Sequence, residues 1–325
     1  MKRLLICMGE ILIDFLPIEQ GGRTVGFTMH PGGAPFNVAV GLSRLGQPTA
    51  FAGKVSTDMF GRYLRAYAEG EGIDTRFLLP ADAPTTLAFV AVEGGEPVFA
   101  FYGEGAADTL LAPDEVPAAL FDETAILHFG SISLLRGTTP SAVLSTARRL
   151  QGRALLSFDP NVRPGLVRDE AAYRALLDQL FSLADIVKLS AVDIAWLAPG
   201  QSVEQFAAGL LERQQGPVLV AVTRGGQGVL VRAGAQRWEL PTFPVTIVDT
   251  VGAGDAFSAG LLAGLAEHGA TSRTDVEQMQ PETLAEVVRF AAATAALTCT
   301  RAGADPPRRA EVMQFLAGQA GQSSL

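Results

Sequence analysis

The chain has 325 residues, 48% hydrophobic and 18% charged, which is enough apolar material for a sizeable core and excludes disorder over most of its length. A formal net charge of −9 excludes a broad nucleic-acid footprint or a basic membrane-binding face, so an anionic ligand would need a local site. The two cysteines, Cys7 and Cys299, supply neither a disulfide framework nor zinc spacing.

In chain order, Met1-Lys2-Arg3 and the apolar run 4–8 superficially mimic a secretory leader, but Glu10 and Asp14 interrupt the run and no small-residue cleavage site follows. No run reaches the ~18 apolar residues of a membrane span. A cytoplasmic location is expected, with no membrane or nucleic-acid partner. Residues 11–30 contain two extended segments around Gln20-Gly21-Gly22, which predicts a hairpin. Val38, Leu42 and Leu45 then follow at helical spacing. A second hairpin is predicted from 86–92 and 97–102, turning at Glu93-Gly94-Gly95-Glu96.

The short apolar runs 4–8, 125–129, 154–158, 185–189 and 218–222 read as strands buried on both faces, the habit of parallel sheets. Helical spacing recurs between and after them, at Leu176, Leu180 and Leu183 and at Phe257, Leu261 and Leu265. A hairpin of 228–232 and 236–240, turning at Ala233-Gly234, is expected to end the sheet at one edge. The small, polar tail after Ala317 is expected to fray. The predicted fold is α/β: a doubly wound, mostly parallel central sheet with helices on both faces, plus a small antiparallel β lid. The large domain would comprise 1–10, 31–84 and 103–325, and the lid 11–30 and 85–102.

The strongest local signal is Asp249-Thr250-Val251-Gly252-Ala253-Gly254-Asp255, between the apolar run 244–248 and a helix beginning near Ala253. Glycines at a strand-to-helix turn leave backbone N–H groups free at a positive helix end, where they can hold an anion. An acid beside that anion makes chemical sense if it accepts a proton from a hydroxyl attacking a phosphate. The plainer alternative is that Asp255 only complements the helix dipole.

Pro31-Gly32-Gly33-Ala34-Pro35-Phe36-Asn37 combines close backbone approach, a first-turn proline and an amide that can read hydroxyls; a simple tight turn explains it equally well. Asp159-Pro160-Asn161-Val162-Arg163-Pro164 follows a strand, where ligands of open α/β sheets bind, and Arg163 can steady phosphate oxygens unless it is merely solvated. Asp14 ends the run 11–13 and can accept two hydroxyls. Two further segments, 188–193 from Lys188 to Asp193 and 223–228 from Thr223 to Gly228, each follow a predicted strand.

There is no P-loop, no protein-kinase H-R-D or D-F-G, and no G-x-G-x-x-G after the first strand, which disfavours a dinucleotide oxidoreductase. The three histidines, His30, His128 and His268, are too dispersed for a metal site or a Ser-His-Asp hydrolase, and His128 reads as a core residue.

Taken in order, Gly32–Asn37, Asp159–Arg163, Val222-Thr223-Arg224-Gly225-Gly226, Asp249–Asp255 and Leu297–Gly303 resemble the ribokinase/PfkB family of carbohydrate kinases, in its fructokinase-like branch, over essentially the whole chain. The resemblance implies ATP-dependent phosphorylation of a sugar hydroxyl, with Asp255 as base and the amides of Gly252, Ala253 and Gly254 as anion hole. It places Asp14, Gly32, Gly33, Asn37, Phe101 and Arg163 on the substrate side. Lys188, Ser190, Thr223, Gly225 and Gly228 would lie along the nucleotide. Mg²⁺ would bridge phosphates, with Asp193 helping through water. The family usually carries Asn-x-x-Glu there, and Ser190 and Asp193 replace both, which shortens the reach to the metal. Many members also hold a monovalent cation such as K⁺; the matching groups are the Asp249 carboxylate and backbone oxygens at Val251, Thr298, Arg301 and Gly303.

Phe99, Phe101 and Tyr102 alternate so that aromatic faces can close over a sugar or simply pack the lid. Kinases of acidic sugars such as 2-keto-3-deoxygluconate resemble this chain but usually carry Arg after the lid tyrosine. Here Gly103 and Glu104 follow Tyr102, and Glu104 would repel a carboxylate. A neutral ketohexose, fructose first, is therefore expected, with an acidic sugar as the alternative. A sugar-binding regulator without catalysis is the alternative from another class, opposed by the intact Asp255 and its glycines. A homodimer formed through the lid is expected.

Overall fold

The computed structural model describes residues 3–93 and 96–322, with side chains for all of these except 90–93, 96–99 and 320–322. Its framework is a nine-stranded sheet. Strands β1 (Leu4–Met8), β4 (Thr49–Ser56), β5 (Leu78–Ala81), β8 (Thr124–Gly130), β9 (Leu155–Asp159), β10 (Ile186–Ser190) and β11 (Leu219–Thr223) are parallel, and β12 (Val229–Ala233) and β13 (Gln236–Leu240) close one edge antiparallel. The order is β13-β12-β11-β10-β9-β8-β1-β4-β5.

Strand alternation divides the apolar residues between two faces. Leu5 and Cys7 of β1 join a core with Phe36, Leu42, Phe257, Leu261 and Val288. Ile6 and Met8 join a second core with Val143, Leu177, Leu180 and Phe181. Helices α1 (Ala34–Arg44), α8 (Ala253–Glu267) and α10 (Pro281–Thr298) therefore cover one face, and α4 (Thr139–Leu150), α5 (Glu170–Leu183) and α7 (Val203–Leu211) the other. In α5 the buried stripe is Tyr173, Leu177, Leu180 and Phe181, so Leu176 and Leu183 only flank it. His128 is a core residue as expected: it is buried, hydrogen-bonds Ser157 Oγ at 3.0 Å, and burial holds it neutral with its pKa lowered to about 3.

Sequence periodicity missed β4 and β5. Gly53 and Lys54 interrupt β4, and Gly53 is required because a Cβ there would lie 2.7 Å from the carbonyl of Gly9, just past the end of neighbouring β1. Helix α2 (Met59–Gly70) follows β4, and its N-cap Asp58 accepts from Gly61 N at 2.7 Å and from Thr85 N at 2.9 Å, fixing the chain's approach to the second hairpin.

The second sheet runs β3-β2-β6-β7, from β2 (Leu12–Gln20), β3 (Arg23–Gly32), β6 (Leu87–Glu93) and β7 (Glu96–Tyr102). Each hairpin is antiparallel, while the seam between them, β2 against β6, is parallel, because both strands leave the central sheet in the same direction. The expected turn at Gly94-Gly95 lies outside the described residues. The segment 244–248 is exposed and irregular rather than a strand: Val248 N and Asp249 N both donate to the Cys299 carbonyl instead of to a ladder. Helix α11 (Arg309–Gln322) extends past Ala317, and the end of the tail expected to fray lies outside the described residues.

Candidate active site

Helix α8 starts from Gly252 in the left-handed region, φ +75°, a conformation open to glycine at little cost. A Cβ at Gly252 would also lie 2.6 Å from Ala304 Cβ, so this turn is closed to larger residues on two counts. Asp255 occupies the first turn of α8 and is 9% exposed. The Ala253 N–H donates to Thr250 O at 3.3 Å and Ala253 does not line the cavity, whereas Gly252 and Gly254 do.

Small residues bring α8 and α1 together: a Cβ on Gly41 would lie 2.6 Å from Ala259 Cβ. That approach lets Asn37 Nδ2 donate to Asp255 Oδ2 at 2.9 Å, so the amide expected to read hydroxyls also orients the acid. Burial pushes the Asp255 carboxyl up to about 6, against the lowering pull of the Asn37 hydrogen bond and the Lys188 charge. It is ionised at neutral pH yet far more basic than an exposed aspartate.

Asp255 opens into a cavity of about 280 Å³. Of the residues picked out from sequence, Asp14, Gly33, Asn37, Phe101, Arg163, Lys188, Val251, Gly252 and Gly254 line it with Asp255. Gly32 lies behind Asp14, where its missing side chain makes room for the carboxylate: a Cβ would be 2.0 Å from Asp14 Oδ2. Burial and the facing Asp255 charge push Asp14 up to about 7, against the pull of Arg163. Arg163 Nη1 is steadied by Asn161 Oδ1 at 2.6 Å. Of the three aromatics, Phe101 faces the cavity, Tyr102 is exposed and packs edge-on against Phe89, and the Phe99 side chain lies outside the described residues.

Sequence reasoning missed Glu10, Ser131 and Ile132 as lining residues, while Asn161 lines the cavity from within the 159–164 segment. Glu10 accepts from Ala34 N and Ser133 N, both at 3.1 Å, tying the start of α1 to the turn after β8, and burial pushes it up to about 7. Its place just beyond the carboxyl end of β1 was the available signal.

The predicted nucleotide residues divide. Lys188 is buried and faces the cavity, donating to Asp159 Oδ2 at 2.8 Å; burial works against its charge, and the carboxylates around it raise its pKa overall. Ser190, Thr223, Gly225 and Gly228 lie outside the cavity along the carboxyl ends of β10 and β11, with Ser190 paired to Thr223.

Asp193, expected to help Mg²⁺ through water, is held within the protein by hydrogen bonds. It is 3% exposed, its Oδ2 accepts from Ser190 N at 2.7 Å and Ser190 Oγ at 2.6 Å, and its Oδ1 accepts from Val162 N at 2.7 Å. It caps α6 (Ala191–Leu197) and ties that helix to the 159–163 loop. Among the described residues no group of three or more His, Cys, Asp or Glu side chains is arranged to hold a metal. The Asp249 carboxylate bridges Val251 N at 3.0 Å and Gly303 N at 2.8 Å, joining the segment before α8 to the segment after α10. The carbonyls of Thr298 and Gly303 each accept one backbone N–H, from Arg301 and Asp305. Glu104 does not bear on the cavity; it is exposed and pairs with Arg168 at 2.6 Å.

Together these groups offer an acid for a hydroxyl proton, a helix end for an anion and carboxylates for further hydroxyls, as phosphoryl transfer to an alcohol requires. The comparisons with known proteins agree. Residues 2–310 match the pfkB family carbohydrate kinase model. Fructokinase-1 of Zea mays is 38% identical over 97% of this chain and 98% of its own. The crystal structure of a Xylella fastidiosa fructokinase with bound ATP superposes with a TM-score of 0.89 at 34% identity, covering 98% of this chain and 100% of that one. A Vibrio cholerae fructokinase in a fructose-, ADP- and calcium-bound form gives a TM-score of 0.83 at 30% identity, covering 97% and 99%. The chain belongs to the pfkB family of carbohydrate kinases.

Proposed function

We propose that the enzyme is a fructokinase that transfers the γ-phosphoryl group of ATP to a hydroxyl of fructose. The observation carrying this reading is the position of Asp255: beside the bare amides at the start of α8, held by Asn37, and opening into one cavity with Asp14. Asp14 would accept hydroxyl hydrogen bonds, Asn37 would offer its carbonyl oxygen, and Arg163 would steady the phosphoryl oxygens. As the sugar oxygen bonds to phosphorus, its proton passes to Asp255 and the bridging Pγ–O bond breaks with its electrons retained by ADP. Gly252 and Gly254 amides stabilise the charge on the transferring group. The four-stranded sheet, contributing Asp14 and Phe101 to the cavity, would act as the lid that excludes water.

A neutral sugar is supported by the two acids Glu10 and Asp14 in the cavity. The position following Tyr102 is also closed to a long cation, because a Cβ on Gly103 would lie 2.7 Å from Thr86 Oγ1. Ser190, Thr223, Gly225 and Gly228 would border the nucleotide. A divalent ion would ride on the nucleotide's phosphates, since the described residues offer it no cluster, and it would neutralise phosphate charge. The loops bridged by Asp249 would take K⁺ through carbonyl oxygens. The exposed apolar residues Val25, Phe27 and Met29 on edge strand β3 support a homodimer through the small sheet. No described helix is long and apolar enough to cross a membrane, in keeping with a cytoplasmic enzyme.

The test is coupled ADP release with fructose, 2-keto-3-deoxygluconate, ribose, tagatose and adenosine, each with and without K⁺. Fructose should give the highest kcat/KM. A higher value with 2-keto-3-deoxygluconate would establish the acidic-sugar kinase instead, and no ADP release with any sugar would leave a non-catalytic binder.

A further inference from the structure

Among the described residues only two that are not glycine hold a clearly positive φ, Ser131 at +60° and Asn161 at +38°, and both line the cavity that holds Asp255. They are also partners: Asn161 Nδ2 donates to Ser131 Oγ at 3.3 Å. Such a backbone state costs free energy in a residue with a side chain and persists where its surroundings over-determine it. Here they do. Strands β8 and β9 end so close together that a Cβ on Gly130 would lie 1.7 Å from the Asp159 carbonyl oxygen, which brings Ser131 against the 159–163 loop. That loop is pinned by three further bonds, Asp159 Oδ2 to Lys188 at 2.8 Å, Asn161 N to Asp159 Oδ1 at 3.1 Å and Val162 N to Asp193 Oδ1 at 2.7 Å.

The loop carries Arg163. Its Nη1 donates to Asn161 Oδ1 at 2.6 Å and to the carbonyls of Asn161 and Val162, both at 3.2 Å, whereas Nε and Nη2 make no hydrogen bond among the described residues. The protein holds one corner of the guanidinium and leaves the opposite edge for a ligand of the cavity. Burial raises the Asp14 and Asp255 carboxyls, and the Arg163 charge pulls both part of the way back. A guanidinium free to swing would pair with these carboxylates, deserting the phosphoryl oxygens and quenching the base.

We propose that Asn161 is a positioning residue for the phosphoryl transfer and Ser131 its anchor: the two side chains form a brace that holds Nη1 of Arg163, so that the Nε–Nη2 edge meets the equatorial oxygens of the transferring group and not the carboxylates beside it. Neither residue exchanges a proton or touches the reacting atoms in this role, and the bonds made and broken are those already described. The brace spares the guanidinium a reorganisation during the transfer. An amide suits the double duty, since its oxygen accepts from Arg163 while its nitrogen donates to Ser131. Asparagine also tolerates the left-handed region better than most side chains. Serine has less of that tolerance, and the strained φ of Ser131 is what sets its hydroxyl against Asn161.

This inference rests on the kinase reading, and the experiment separates the two. Wild type, N161G, R163M and the N161G/R163M double variant are compared for melting temperature, for kcat and for KM of fructose and ATP, each assayed below its melting transition. Failure of wild type to turn over any sugar overturns the kinase reading itself. Glycine takes a φ of +38° more readily than asparagine, so N161G should melt within about 3 °C of wild type. Its kcat should nevertheless fall ~10–10²-fold, with KM for fructose and ATP changed less than ~5-fold. A residue that only shaped the bend would leave kcat unchanged in N161G. R163M should lose ~10²–10³-fold in kcat, the scale of one removed oxyanion donor, and N161G added to it should lose less than ~3-fold more, because the brace then has nothing to hold. Where N161G does not fold, S131G, which also suits its φ of +60°, carries the same cycle, with a kcat loss of ~5–20-fold that disappears in the R163M background. A kcat within ~3-fold of wild type in the brace variant, or losses that multiply in the double variant, overturns the proposal.

Discussion

Replacing Asp255 by Asn should slow the enzyme and stabilise it, with a pH dependence that identifies the cause. Burial holds the Asp255 carboxyl at about 6 rather than its ordinary 3.8, so folding at neutral pH keeps a charge where a proton is preferred. At 1.36 kcal/mol per pKa unit the penalty is about 3 kcal/mol once both folded and unfolded forms are ionised. A raised folded-state value means the folded protein binds more protons between those limits. The associated stability is fully present below pH 3.8 and lost as pH rises through about 6. The substitution D255N removes the titration while its amide oxygen can still accept from Asn37 Nδ2. With an unfolding entropy of about 2.1 cal/mol/K per residue, D255N should melt about 4 °C above wild type at pH 8, the gap closing towards pH 4. In coupled ADP release its kcat should fall by ~10²–10⁴-fold, the contribution of a general base. Thermal melts across that pH range test the first expectation. A variant that melts below wild type at pH 8, or keeps more than about a tenth of wild-type turnover, would refute the assignment of a buried base.

Four other outcomes follow from the same geometry. The acid limb of kcat/KM should fall near pH 6, above the range of an exposed aspartate, because Asp255 must be ionised to act; a limb near pH 4 contradicts this. G252A should lose ~1–3 kcal/mol of stability as well as activity, since it forces a side chain into φ +75° against Ala304, whereas G254A meets only the flexible end of Lys188 and should melt near wild type while turning over more slowly. D14N should raise KM for the sugar ~10–100-fold by weakening charge-assisted hydroxyl contacts, leaving KM for ATP little changed in steady-state assays. R44M should lower Tm by several degrees, about 2–4 kcal/mol, because the largely buried Arg44 side chain joins Glu71, Asp305 and the Pro306 carbonyl.

The chain's strands were legible where burial on both faces made continuous apolar runs, as in β1, β8, β9, β10 and β11. Strand β4 was not, because its identity depends on a neighbour: Gly53 is there to clear the Gly9 carbonyl, a reason local sequence cannot display. The 244–248 run carries the opposite lesson, since apolar residues with no strand beside them form exposed irregular chain. At the site, Asp255 and its glycines could be read as a motif because helix-end chemistry is local. The capping role of Asp193 was hidden because its partners, Ser190 and Val162, are brought together by two different strands. Glu10 was missed for a similar reason, as it joins two backbone amides that meet only after the sheet forms.

The strand β2 has a double allegiance. It carries Asp14 into the cavity while forming an inner strand of the small sheet, whereas Asn37, Asp255 and Lys188 ride on the helices and strands of the large one. On the proposed reading, a sugar gripped by Asp14 and Asn37 together would be a strut between the two sheets, and its arrival would stiffen their joint. Displacing the small sheet outward would carry away the hydroxyl acceptor in the same movement that admits water, so an ill-fitting sugar would be released rather than left beside a reactive phosphate.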